Sequence, residues 1–82
     1  MEAAIGTVGI LGFGRFGRSL GELMAESGIR VRAFDPHAAV PAPYAAGSPA
    51  ELVHASHIVV LAVPVPTLEA VIDEVSALLT GG

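Results

Sequence analysis

The stretch Val8-Gly9-Ile10-Leu11-Gly12-Phe13-Gly14-Arg15-Phe16-Gly17-Arg18-Ser19-Leu20 decides the fold. Its opening, with Ile5 just upstream, is a short apolar run that ends in glycine. That brevity predicts a buried strand, not a helix. From Arg15 the period changes. Phe16, Leu20, Leu23 and Met24 fall at i, i+4, i+7 and i+8, which predicts one buried face of a helix. Arg18 and Glu22, four apart, are expected to pair on its outer surface. Gly28 is the expected stop, because glycine takes positive φ without steric cost.

Working outward, Arg30-Val31-Arg32-Ala33-Phe34-Asp35 alternates and predicts a second strand, broken by Pro36. Residues 36–47 hold three prolines, five alanines and one glycine, which predicts a loop. Ser48-Pro49-Ala50-Glu51 has the residues of a helix start: Ser as N-cap, Pro at the first position, Glu at the third. That helix should end near Ala55. His57-Ile58-Val59-Val60-Leu61-Ala62-Val63 is apolar after its first residue and rich in β-branched side chains, the pattern of a strand covered on both faces. After Pro64-Val65-Pro66 comes a last helix. Leu68, Val71, Ile72, Val75, Leu78 and Leu79 mark its expected buried stripe, and Gly81-Gly82 its end.

The order β-α-β-α-β-α implies parallel strands joined by right-handed crossovers. The fold class is α/β: a three-layer Rossmann-type half with a parallel sheet. Pattern alone leaves the strand orders 2-1-3 and 3-2-1 both open.

Gly12-Phe13-Gly14-Arg15-Phe16-Gly17 is G-x-G-x-x-G, following a predicted strand and opening a predicted helix, with Asp35 at the end of the next strand 18 residues beyond Gly17. That is the context a dinucleotide site requires. Gly12 permits the tight turn, Gly14 lets a diphosphate approach the backbone, and Gly17 lets helix and strand lie close. Free amides at the head of the helix then hold the pyrophosphate. The competing reading is a structural Gly-rich turn. Asp35 is expected to accept from the adenosine ribose hydroxyls and to repel a 2′-phosphate, so NAD is favoured over NADP. No Arg or Lys follows it in residues 36–82 to neutralise such a phosphate. Its competing reading is an Asp-Pro turn initiator. Arg15 is a phosphate contact or a solvated cation. Val63 and Pro64 close the third strand at the cleft, where Pro64 forms a wall or only terminates the strand.

Composition bounds the rest. The 82 residues make one domain, spanning 1–82. At 52% hydrophobic and 15% charged, the chain can fill a core, which excludes disorder. There is no Cys, hence no disulfide frame, thiolate metal site or Cys nucleophile. The formal charge of −4 argues against nonspecific nucleic-acid and anionic-lipid binding. His37, His54 and His57 form no metal-ligand cluster; His37 is expected in a solvated loop near the adenine, and the others at the surface. The sequence sets Ser19, Ser27, Ser56 and Ser76 in no recognisable nucleophile–base pattern, so no catalytic residue is assigned. The run Ile58–Val65, broken by Pro64, is under half the roughly 20 residues of a membrane helix. Met1-Glu2-Ala3-Ala4 lacks the basic start of a signal peptide. A cytoplasmic setting is the expectation.

At these same residues the sequence resembles the N-terminal dinucleotide-binding domain of prephenate and arogenate dehydrogenases, oxidoreductases of tyrosine biosynthesis. The resemblance is carried by residues 8–20, Val31-Arg32-Ala33-Phe34-Asp35 and Ile58-Val59-Val60-Leu61-Ala62-Val63-Pro64. Phe13 and Arg15-Phe16 favour this family over hydroxyisobutyrate-type dehydrogenases and pyrroline-carboxylate reductases. The resemblance implies order 2-1-3 and carries the family's glycine and acidic positions to Gly12, Gly14, Gly17 and Asp35. It implies a short extra strand beyond the second, which the prolines of residues 36–47 make a poor candidate. His57 stands where the family commonly has Asp, a change expected to touch packing. The family's catalytic His and helical dimerisation domain come later than this chain reaches, so the chain alone is expected to be inactive. A stand-alone nucleotide-binding module and a pure interaction domain are the alternatives. With order 2-1-3, residues 57–63 form an open apolar edge, through which two copies are expected to pair.

Overall fold

A computed structural model describes residues 6–80. Three sequence expectations lie outside them: the contribution of Ile5 to the first strand, the character of Met1–Ala4, and the helix stop at Gly81-Gly82. The elements are β1 (Thr7–Leu11), α1 (Arg15–Glu26), β2 (Arg30–Phe34), α2 (Pro49–Ala55), β3 (Ile58–Leu61) and α3 (Val65–Thr80). The strands are parallel in the order β2-β1-β3, the order the resemblance implied. Ile10 pairs with Ala33 on one side and Val60 on the other. The central strand is β1, buried along its whole length.

Strand alternation divides the apolar residues into two layers. Val8, Ile10, Val31 and Ala33 pack with Phe13 and with Leu20, Met24 and Ala25 of α1. Leu11 packs on the opposite face with Leu52 and Val53 of α2 and Val75 of α3. The sheet is thus covered on both sides.

The local signals of α2 act as expected. The Ser48 hydroxyl accepts from the Glu51 amide at 3.1 Å, and Pro49 sits in the first turn. The Glu51 carboxylate accepts from the Gly47 amide at 2.7 Å and pairs with Arg32 at 3.0 Å. Gly28 ends α1 with φ of +87°.

Four expectations are corrected. The buried face of α1 is turned away from Phe16 and Leu23, which are 66% and 62% exposed; Gly17 and Gly21 face the sheet instead. Glycines bring the helix axis in, so the large side chains on either side of them swing outward. The α3 stripe is narrower than expected: Val75 is buried, while Ile72 and Leu79 are exposed. The helix leans on α2 along one side only. The third strand is shorter than 57–63, and its residues are half-buried or exposed, because it has a neighbour on one side only. Arg18 does not pair with Glu22. Its guanidinium lies 5.5 Å from the Phe13 ring centroid and donates to the Ala39 carbonyl at 3.5 Å.

The loop of residues 36–47 supplies no full strand. It makes one parallel bridge, Ala45 to Ala33, on the edge of β2 away from β1. There the Ala33 amide donates to the Tyr44 carbonyl and the Ala46 amide to the Ala33 carbonyl.

Candidate functional site

The site lies where β1, β2 and β3 end. In an open parallel sheet the two crossovers leaving a central strand run in opposite directions, and the chain parts to leave a crevice at the strand carboxyl ends. Here that crevice has a volume of about 790 Å³. Gly12, Gly14, Arg15 and Phe16 line one side, Asp35 to Ala38 a second, and Ala62 to Pro64 a third; Thr67, Val71 and Glu74 of α3 complete it.

The turn from β1 to α1 owes its shape to three glycines with three different reasons. Gly12 has φ of +97°, and a Cβ there would lie 2.5 Å from the Ala62 carbonyl oxygen. A Cβ on Gly17 would run into the Gly12 carbonyl. These two glycines close the turn against the sheet. Gly14 differs: a Cβ built on it meets no atom within 4 Å. Its bare backbone faces open space.

Gly14 is also the N-cap of α1, and no side chain caps that helix. The Arg18 amide makes the bond to the Gly14 carbonyl, at 2.9 Å. The amides of Arg15, Phe16 and Gly17 before it have no intrahelical acceptor. No acid occupies the first turn. A row of donors at the positive end of a helix dipole is an anion site in search of its anion. The residues present therefore fit a dinucleotide diphosphate.

Asp35 lies between that turn and the loop. One of its carboxylate oxygens, Oδ2, accepts from the Phe13 amide at 2.6 Å. The other, Oδ1, accepts from the amides of His37 and Ala38 at 2.7 and 2.9 Å. Partial burial pushes its pKa up, but the three amide bonds and the nearby His37 outweigh that and hold it below its ordinary value of 3.8. Asp35 is thus charged at neutral pH, and it organises the turn after β2 as well as facing the cleft. The bonds to residues 37 and 38 make Asp35 the turn initiator of the competing reading, whereas the bond to Phe13 was not legible in the spacing.

The remaining candidates separate. Arg15 and Phe16 are exposed at the cleft, and Val63 and Pro64 line it opposite. Phe13 does not line it; its ring is 1% exposed, in the core beside Tyr44. Only its amide reaches the site, through Asp35. His37 borders the cleft, whereas His54 is exposed on α2. His57 accepts from the Thr7 amide through Nδ1 at 3.2 Å, far from the cleft at the opposite end of β1. Among the described residues no group of His, Cys, Asp and Glu could hold a metal, and no helix is long and apolar enough to cross a membrane.

The sequence matches the family model described as D-isomer specific 2-hydroxyacid dehydrogenase, NAD binding domain, over residues 1–75. The chain belongs to this family. NAD is accordingly its cofactor, and the chain is the NAD-binding domain of a dehydrogenase-type oxidoreductase. The match is to a Rossmann family other than the prephenate and arogenate dehydrogenases. The dinucleotide-binding part of the sequence expectation therefore stands, and the tyrosine-biosynthesis part gains no support. Searches of curated proteins and of solved structures returned no match.

Proposed function

We propose that this 2-hydroxyacid dehydrogenase domain binds NAD across the strand ends and serves oxidation or reduction at a 2-hydroxy or 2-oxo acid. One observation carries the reading: the bare Gly14 backbone lines the open cleft together with Arg15 and Phe16, whose amides have no intrahelical acceptor, and an ionised Asp35 stands at its side. The amides would hold the diphosphate. Asp35 would take the adenosine ribose, Arg15 would reach a phosphate oxygen, and Phe16, Val63 and Pro64 would supply apolar walls. Bound NAD supplies the hydride acceptor. The chain's own residues bind and orient it.

Calorimetric titration with NAD, NADP, ADP-ribose and AMP tests this. NAD and ADP-ribose should bind and NADP more weakly, because Asp35 repels a 2′-phosphate. No heat with any of the four would reject the reading.

A second reading keeps the substrate of the resemblance, prephenate or arogenate, on the strength of Phe13 and Arg15-Phe16. Binding of D-2-hydroxy acids, and of prephenate and arogenate, to the NAD-loaded chain separates the two, and turnover of any of them by the chain alone would overturn the expectation that it is inactive. A cytoplasmic setting suits a cysteine-free chain. The open edge of β3 further supports pairing of two copies about a twofold axis. A monomer in sedimentation at high concentration would remove that proposal.

A further inference from the structure

We propose that Asp35 is a positioning residue for the phosphate cradle: it holds the glycine turn in its ligand-ready shape through the Phe13 amide, whatever it does to the ribose. The inference deepens the reading of the turn as a diphosphate site and rests on it.

Successive amides along the turn have different partners. Gly12 donates to the Phe34 carbonyl at 2.9 Å, and Phe13 donates to Asp35 at 2.6 Å. Two consecutive amides of the turn are therefore tied to the two consecutive residues that end β2. The amides from Arg15 to Gly17 then lack an intrahelical acceptor, and Arg15 and Phe16 line the cleft. The Phe13 bond is the last tie before the free donors begin. Gly14, the next residue, has no side chain, and a Cβ there would meet no atom within 4 Å. Without the tie, the peptide between Phe13 and Gly14 is held only by the buried Phe13 ring on one side and by the bond from the Arg18 amide to the Gly14 carbonyl on the other.

Asp35 is itself well held. Its Oδ1 takes the amides of His37 and Ala38, so the carboxylate cannot follow a wandering turn. An ionised carboxylate has about four acceptor positions, and three are filled. One position remains for a ribose hydroxyl. The same group can thus anchor the turn and still meet the cofactor. A cradle held in shape before the ligand arrives saves the cost of ordering it on binding.

Two altered proteins test this with inorganic pyrophosphate, a probe that has no ribose, alongside ADP-ribose. In the first, total synthesis replaces the Phe13 amide N–H by an ester oxygen and leaves Asp35 intact. In the second, Asp35→Asn, the side-chain carbonyl can still serve His37 and Ala38, but an NH₂ then opposes the Phe13 N–H. Unchanged amide shifts along β1 and β2 establish that each is folded. Both should bind pyrophosphate roughly tenfold more weakly than the natural chain, and the Phe13 amide of Asp35→Asn should lose protection from hydrogen exchange. Removing a negative charge by itself favours an anion, so weaker binding in Asp35→Asn reports lost positioning. The ester analogue should lose ADP-ribose by a similar factor. If pyrophosphate binds the ester analogue as tightly as the natural chain, the proposal falls while the diphosphate reading stands. If the natural chain shows no pyrophosphate binding at all, the diphosphate reading falls, and this proposal with it.

Discussion

The two ends of the central strand's neighbours are built to different standards. At the β1–α1 turn, backbone packs on backbone. A Cβ on Gly12 or Gly17 would strike a carbonyl, and Gly12 and Phe13 are bonded to the end of β2. At the β3–α3 side, Ile58 is exposed, Ile72 and Leu79 project from α3, and β3 has no outer partner among the described residues. One region has no room for a methyl group at Gly12 or Gly17, while the other leaves whole side chains in water. The contrast teaches that the chain concentrates its accuracy where a ligand must be read, and leaves apolar surface where something large can cover it.

Substitutions can break this contrast. The largest effect is expected at Gly12→Ala, which combines a left-handed backbone with a clash against Ala62. It should cost roughly 2–4 kcal/mol in chemical denaturation. A loss under about 0.5 kcal/mol would mean that the turn is looser than it is drawn. Next comes Gly14→Ala. Space for its methyl group exists, so stability should hold within about 1 kcal/mol, yet NAD affinity should fall at least roughly tenfold. Equal affinity would separate Gly14 from the phosphate.

Acid titration sharpens the same comparison at Asp35. Its carboxyl is held below 3.8 in the folded chain, so its contribution is complete above the unfolded value and is lost as pH falls through the folded one. Urea midpoints measured from pH 5 downward should drop faster for the natural chain than for Asp35→Asn. Parallel curves would contradict the three amide bonds. The smallest effect belongs to the open side. Ile58→Lys and Ile72→Lys should change stability by no more than about 0.5 kcal/mol, because both residues already meet solvent. A larger loss would show that this face is covered in the folded protein.

The same contrast explains what the sequence made legible. The glycine turn could be read because Gly12 and Gly17 answer local steric demands, and the Ser48 cap and the Gly28 stop because they too are met by neighbours in sequence. The strand order needed a resemblance, since periodicity says nothing of which edge a third strand takes. Phe16 and Leu23 misled because hydrophobic periodicity counts large residues, whereas α1 docks through Gly17 and Gly21. The α3 stripe was overdrawn because an apolar residue facing solvent looks no different in sequence from one facing a packed neighbour. Asp35 was placed at the strand end, and its bonds to residues 37 and 38 match the turn-initiator reading, but its bond to Phe13 depends on how the β1–α1 turn passes beside it, which no spacing rule records.

The single bridge of Ala45 to Ala33 has a consequence for how far assembly can go. It occupies the outer side of β2, and Pro41 and Pro43 come immediately before it. A newcomer therefore finds only one flank on which to add a strand. If two copies join there as proposed, each would consume the other's open edge. Growth would then stop at two, and a chain this rich in apolar residues would be steered away from stacking into fibres.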